Sequence, residues 1–389
     1  MTRLQPTQPS MRTYSASSHW FRGACAVLAL AALAACGSGG SRPKPAELPP
    51  NIAMIGVRQA WSARVAPVSF PLQMAVRGNQ VTLAGAGGVV VTLDAASGRE
   101  LSRANLGEEL SAGVGSDGQT QAVVTRANQV VALQGSRELW RYRLTSQSFT
   151  APLVAGGRVF VLGADRSLTA LDGQSGRVLW NVSRPAEPLV LRQSGVLMAV
   201  GNTLIAGLAG RMVGVDPDTG VLRWEAPVAA ARGTNDVERL VDLIGPAARL
   251  DSVVCARAFQ AAIGCVDTSA GTLRWTKPAS GATGIASDGQ LLFGAEADGK
   301  VLAWRANGGD RAWVSERLQW RALTAPLVLG RSVVVGDDTG LLHLLSREDG
   351  SPMNRLSTDG SPIAATPTVA GNTLIALTRN GGVYGFVPE

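Results

Sequence analysis

The sequence predicts an all-β fold, an eight-bladed β-propeller of four-stranded antiparallel blades whose ring is closed by a strand from near the N-terminus. Three observations carry this expectation. A phrase of apolar residues, an aspartate, a glycine and a tryptophan returns at intervals of 38 to 51 residues. Short β-prone runs alternate with glycine-rich turns. The last copy of the phrase stops one strand short.

The clearest copy runs from Leu168 through Asp172 and Gly176 to Trp180. Others centre on Asp94, on Asp216 with Trp224, and on Asp267 with Trp275. Weaker copies centre on Gln134 with Trp140, Arg305 with Trp313, and Ser346, and the eighth ends at Val387. A period near 40 residues with strand-like content is a propeller signature, because a lone blade buries its faces only by stacking on neighbours. Residues 151–181 show the unit: four β-prone runs, 151–155, 158–162, 167–171 and 177–181, separated by turn-forming segments rich in glycine and aspartate. The recurrent aspartates read as turn caps, and the recurrent tryptophans as filling between blades. The eighth copy lacks its fourth strand, and Gln59 to Val65 resembles the missing piece, so residues 59–65 are expected beside 381–388.

The N-terminus is an address. Residues 1–22 carry Arg3, Arg12 and Arg22 and no acid, and Gly23 to Ala35 is an apolar run. Such a run suits a signal peptide and is too short for a membrane span, which needs about 20 residues. Leu33-Ala34-Ala35-Cys36 resembles a lipobox, which implies lipid on the Cys36 thiol and removal of residues 1–35. Met11 is an alternative start. Residues 36–58 read as a lipidated flexible tether and 59–389 as the propeller. By similarity to enterobacterial sorting, Gly37 and Ser38 after the cysteine imply the outer membrane, facing the periplasm.

Thirty-six basic and 29 acidic residues leave a net charge of +7, part of which leaves with the signal. No basic run interleaved with aromatics occurs, which argues against nucleic acid. An enzyme needs a nucleophile, a base or a metal. The chain has two histidines, His19 in the signal and His343 in an apolar strand. No metal-ligand spacing, nucleophile elbow or phosphate loop appears, so no catalytic residue, metal or cofactor is expected. Cys255 and Cys265 fall on the second and third strands of one blade, nearly opposite across a turn near Gln260. They are either a disulfide or two buried thiols, and an oxidising periplasm favours the bond.

The repeat Ala-Leu-Asp-x-x-x-Gly-x-x-x-Trp resembles the pyrroloquinoline-quinone-type propeller repeat, which quinone-dependent dehydrogenases and non-enzymatic propellers share. With the lipobox, the length and eight copies, the chain resembles the BamB family of outer-membrane β-barrel assembly lipoproteins. That resemblance implies a non-enzymatic scaffold of the BAM complex that binds BamA, assists insertion of β-barrel proteins, and meets unfolded outer-membrane proteins. Leu189, Leu191 and Arg192 match the family's Leu-x-Leu-Arg element at the BamA contact. The segment 233–242 matches a second element there, with Arg239 and Asp242 in place and Ile244 replacing a further aspartate. The repeat register adds support: Arg192 and Asp242 precede their anchors Asp216 and Asp267 by almost the same number of residues, so they fall side by side on one face. Extra residues around 228–241 project a loop beside them. The alternatives are an envelope propeller for another protein or a polysaccharide, and a quinone-dependent dehydrogenase, although adjacent cysteines over the cofactor are missing.

Overall fold

The structure, a computed structural model, describes residues 43–184, 189–231, 235 and 240–389. The signal segment, Cys36 and Arg239 lie outside these residues. Among the described residues the chain forms eight four-stranded antiparallel sheets. Blades one to seven take consecutive strands over residues 75–105, 110–143, 153–182, 197–227, 243–278, 285–315 and 327–357. Blade eight combines Thr368–Ala370, Thr373–Leu377 and Gly382–Pro388 with Val57–Arg64, which pairs antiparallel with Gly382–Pro388. The N-terminal strand therefore closes the ring, as its sequence predicts.

Second and third strands such as Val253–Ala258 and Ala262–Asp267 are buried along nearly their whole length. A neighbouring blade covers each face, which is why these strands read as continuous apolar runs rather than alternating ones. First strands line the axis, where Leu72, Met74, Ile285 and Leu327 converge. Fourth strands form the rim.

Asp172 shows how a blade turns from its third to its fourth strand. Its Oδ1 accepts from the backbone N–H of Gln174 and Ser175 and from the Ser175 hydroxyl, at 3.2, 2.9 and 2.7 Å. Asp94, Asp216 and Asp267 make the same cap with Ser97, Thr219 and Ser269. The Arg223 guanidinium, then the turn N–H of Thr219, hold the Asp216 carboxyl down to about 2. Hydrogen bonds to the charged form do this even on a side chain that is only half-buried.

The turn then meets the previous blade's tryptophan. Trp61, Trp140, Trp180, Trp275 and Trp313 donate their indole N–H to a backbone carbonyl of the next blade's turn: to Ala95, Gly173, Pro217, Ala306 and Arg347, at 2.8 to 3.0 Å. The ring also lies over the turn glycine. A Cβ on Gly98 would come within 2.5 Å of the Trp61 ring, and one on Gly176 within 2.6 Å of Trp140. Both glycines have φ of 71°, a left-handed conformation that also disfavours side chains. Glycine is thus required at this turn for two independent reasons.

Two joints differ. In blade one the equivalent position is Ser102, opposite Thr92. There Thr82, Thr92 and Gln121 form a buried hydroxyl and amide chain into blade two, at 3.0 and 3.1 Å. In blade seven it is Asn354, opposite Leu344, and the turn it should clasp does not exist, because blade eight's outer strands come from opposite chain ends. Asn354 Nδ2 instead donates to the carbonyl of Ile55 at 2.7 Å. The segment expected as tether is, from Ala46 onward, a strap along the rim of blade seven. Ala46 N–H donates to Gln319 O, Met54 N–H to Met353 O, Asn51 Nδ2 to Asn354 Oδ1, and Arg355 to Pro49 O. Leu48 and Ile55 pack into the blades, and residues 57 and 58 already belong to the closing strand. For this strap, residues 46–58, the expectation of a tether is corrected accordingly. Its Pro and Gly composition describes a segment without internal hydrogen bonds, not one without partners.

A buried ion pair fixes blade five to blade six. Arg257, fully buried, donates to Glu296 Oε1 at 2.8 Å, and its guanidinium lies 5.6 Å from the Trp304 ring centre. Glu296 Oε2 accepts from the Ser280 hydroxyl at 2.6 Å. Cβ atoms on Gly281 and Gly294 would fall 1.8 and 2.2 Å from the guanidinium, so these glycines make its room.

Trp61→Ala is expected to cost about 3 kcal/mol in chemical denaturation, since it removes both the packing and the bond at the closing blade; an unchanged midpoint would contradict this role. Arg257→Ala should cost about 3–5 kcal/mol by stranding Glu296, with the Arg257→Ala/Glu296→Ala double variant costing less than the two singles together. The Asp216 carboxylate stabilises the fold above its ordinary value of 3.8 and loses that contribution as pH falls towards about 2. The urea midpoint should decline across that window, and less steeply in Asp216→Asn.

Candidate functional site

The connections between rim and axis gather on one face of the ring. Between blades three and four, Leu189 to Gly195 crosses that face, and between blades four and five the chain returns through Leu240 to Asp242. The Leu191 N–H donates to Asp242 Oδ2 at 3.1 Å, and Gly195 bridges antiparallel to Ile244. Gly245 N–H donates to Ser194 O at 2.8 Å. A first strand thus holds the preceding connection along its length, and Asp242 fixes the conformation in which its side chains stand.

Leu189 is 39 % exposed, Leu191 half-buried and Arg192 exposed. The Arg192 guanidinium lies 5.8 Å from the ring centre of Phe149, which comes from the connection between blades two and three. An arginine over an aromatic face is partly pre-ordered, so presenting it costs less side-chain entropy. The structure therefore brings together Leu189, Leu191, Arg192 and Asp242. Arg239 lies outside the described residues. Ile244, 2 % exposed in the first strand of blade five, supplies no surface, so any acidic contribution here comes from Asp242.

The cleft lined by Phe149, Val190, Leu191, Gln193 and Asp242 has a volume of about 60 Å³. Sites that engulf small molecules run to about 300–1,000 Å³. This surface can grip a protruding side chain or a strand, not enclose an organic ligand. Beside it, the two roots of the long loop are packed down, Val228 at 1 % and Val241 at 6 % exposure. Residues 232–234 and 236–239 of that loop lie outside the described residues.

Cys255 and Cys265 face each other across paired strands and form a disulfide. His343, read as a strand residue, lies in Leu341–Ser346 with its Nε2 2.9 Å from Asp337 Oδ2. Asp337 is 1 % exposed. Burial pushes its carboxyl up, but hydrogen bonds from His343, the Leu341 N–H and Thr339 outweigh that and hold it well below the carboxylate range. Arg321 also bonds Asp337 Oδ2 at 3.1 Å and, through Nη2, the Ala46 carbonyl. Sequence reasoning missed this cluster and the Arg257–Glu296 pair; the one signal available was a lone charge amid apolar strand residues. Among the described residues no group of three or more His, Cys, Asp or Glu could hold a metal. On the axis, Phe70 is the aromatic among the described channel-lining residues, and it is 8 % exposed, which offers little platform for stacking a sugar.

Comparison with known proteins places these features in context. A family model described as outer membrane protein assembly factor BamB matches residues 86–315. The outer membrane protein assembly factor BamB of Burkholderia pseudomallei is 37 % identical over 370 residues, covering 94 % of this chain and 97 % of that protein. The crystal structure of BamB from Moraxella catarrhalis superposes with a TM-score of 0.78 at 25 % identity, covering 85 % of this chain and 99 % of that one. A quinohemoprotein alcohol dehydrogenase from Pseudomonas putida superposes with a TM-score of 0.65 at 14 % identity, covering 87 % and 77 %. That last likeness is one of fold.

Loss of the Asp242 carboxylate should free the connection it holds. In Asp242→Ala, hydrogen exchange at the Leu191 amide is expected to speed by roughly tenfold while the blade interiors keep their protection. Unchanged exchange at that amide would show that the carboxylate does not position the segment.

Proposed function

Because the chain belongs to the family of the outer membrane protein assembly factor BamB, we propose that it is a non-enzymatic scaffold lipoprotein of the BAM complex, docking on BamA and assisting insertion of β-barrel proteins into the outer membrane. One observation carries the docking site: Leu189, Leu191, Arg192 and Asp242, from two successive connections, converge on one face, with Asp242 bonded to the segment that presents the other three. Leu189 offers apolar surface and Arg192 a forked donor whose approach is set by Phe149. Exposed apolar residues beside a pre-ordered arginine are the ingredients of an interface hot spot. Arg239 joins them through its place in the matching sequence element.

The lipid on Cys36 would hold the propeller to the outer membrane, facing the periplasm. No helix among the described residues is long and apolar enough to cross a membrane, so the anchoring falls to the acyl chains in this reading. Unfolded outer-membrane proteins are the clients, and unpaired rim strands such as Val178–Val182 offer edges to which an extended client strand can add.

Arg192→Glu should weaken binding to purified BamA by about 2 kcal/mol, close to thirty-fold in Kd, without altering the thermal unfolding of the propeller. Undiminished affinity would remove Arg192 from the interface. Failure of the unaltered protein to bind BamA would remove the function itself.

A further inference from the structure

The strap leaves more apolar surface in water than closing the ring requires. Leu48 and Ile55 are tucked into the blades, yet Ile52 and Met54 between them are 64 % and 65 % exposed, although hydrogen bonds pin the chain on both sides. Ile52 lines a narrow cleft with Arg317 and Leu318. A few residues on stands Trp320, next to Gln319, which accepts the Ala46 N–H. Trp320 is 45 % exposed; every other described tryptophan is buried or half-buried between blades. Its backbone has φ of 64°, a conformation a bulky side chain rarely adopts, and its N–H is bonded to Asp298 O. The fold thus holds one indole outward in an unfavourable backbone state beside two outward aliphatic side chains. Arg317 is exposed and has no ion-pair partner among the described residues, and the half-buried Arg355 donates from its guanidinium to the Pro49 carbonyl.

We propose that this rim, Ile52, Met54 and Trp320 with Arg317 and Arg355, rests in the interfacial layer of a phospholipid bilayer. The inference rests on the reading of Cys36 as the lipidated residue. Cys36 lies ten positions before Ala46, where the strap is first bonded to the propeller. Fully extended, this stretch spans at most about 35 Å, so the anchor holds this rim within that distance of the membrane. Tryptophan settles at the headgroup level, where its ring is buried and its N–H stays wet, and arginines there meet anionic headgroups. The rim has this composition, and it is the side of the ring from which the anchored chain departs.

The test uses the full-length lipidated protein on vesicles of phosphatidylethanolamine and phosphatidylglycerol with brominated acyl chains, which quench tryptophans at the interface. Quenching of the wild-type emission is expected, lost in Trp320→Phe and strongly reduced in Ile52→Asp/Met54→Asp, with all three proteins equally vesicle-bound and equally stable to heat. Acylated, vesicle-bound wild type whose emission ignores the bromine would overturn the proposal and leave the anchor standing. The same result, with Trp320 becoming shielded only when BamA is added, would overturn it in favour of a protein contact. Mature protein whose mass shows no acyl groups on Cys36 would overturn the anchor and this proposal together.

Discussion

An indole N–H bonded to a carbonyl of the next blade's turn is the joint on which this ring depends. A four-stranded sheet with both faces apolar has no stable existence alone, and stacking by itself leaves the angle between sheets loosely set. The tryptophan adds direction. Its ring fills the wedge at the rim, its N–H selects one carbonyl, and the turn glycine lets the two approach within a distance no Cβ would permit. The aspartate cap belongs to the same device, because it holds the turn in the shape that aims that carbonyl at the indole. The spaced Asp, Gly and Trp are therefore one mechanical part distributed over two blades, which explains why they recur together.

That coupling is also why the architecture was legible in the sequence. The Asp-Gly-Trp spacing marks where each blade turns and which residue clasps it, and the absent fourth strand after Val387 points directly to Trp61. What was not legible depends on contacts between distant segments. Nothing in the Pro-rich composition of residues 45–56 announces that Asn354 needs a carbonyl there, since the need arises only once blade eight is seen to lack its turn. Arg257 and Glu296 lie 39 positions apart, and neither belongs to the repeated phrase. Their pairing requires knowing that Gly281 and Gly294 leave a hole between blades.

The geometry of the proposed docking surface was half legible. The register argument places Arg192 and Asp242 on one face, and the structure adds that they are not two independent contacts. Asp242 spends an oxygen on the Leu191 N–H, so its first task is to shape the segment that carries Leu189 and Arg192. In the sequence, Ile244 stands where the matching element has a second aspartate. Buried in a first strand, Ile244 lies where its side chain meets other side chains and not a partner.

The strap has a consequence for force. A protein tied to a membrane by its N-terminus and bound elsewhere on its body is pulled whenever the two move apart. Here that load would arrive at the strand whose pairing with Gly382–Pro388 closes the ring. The bonds at Ala46, Pro49, Asn51 and Met54 lie in series ahead of that seam. They would act as the grip on a cable does where it enters a plug, taking up tension and yielding first, so that a tug on the proposed anchor would peel the strap before it could unzip the propeller.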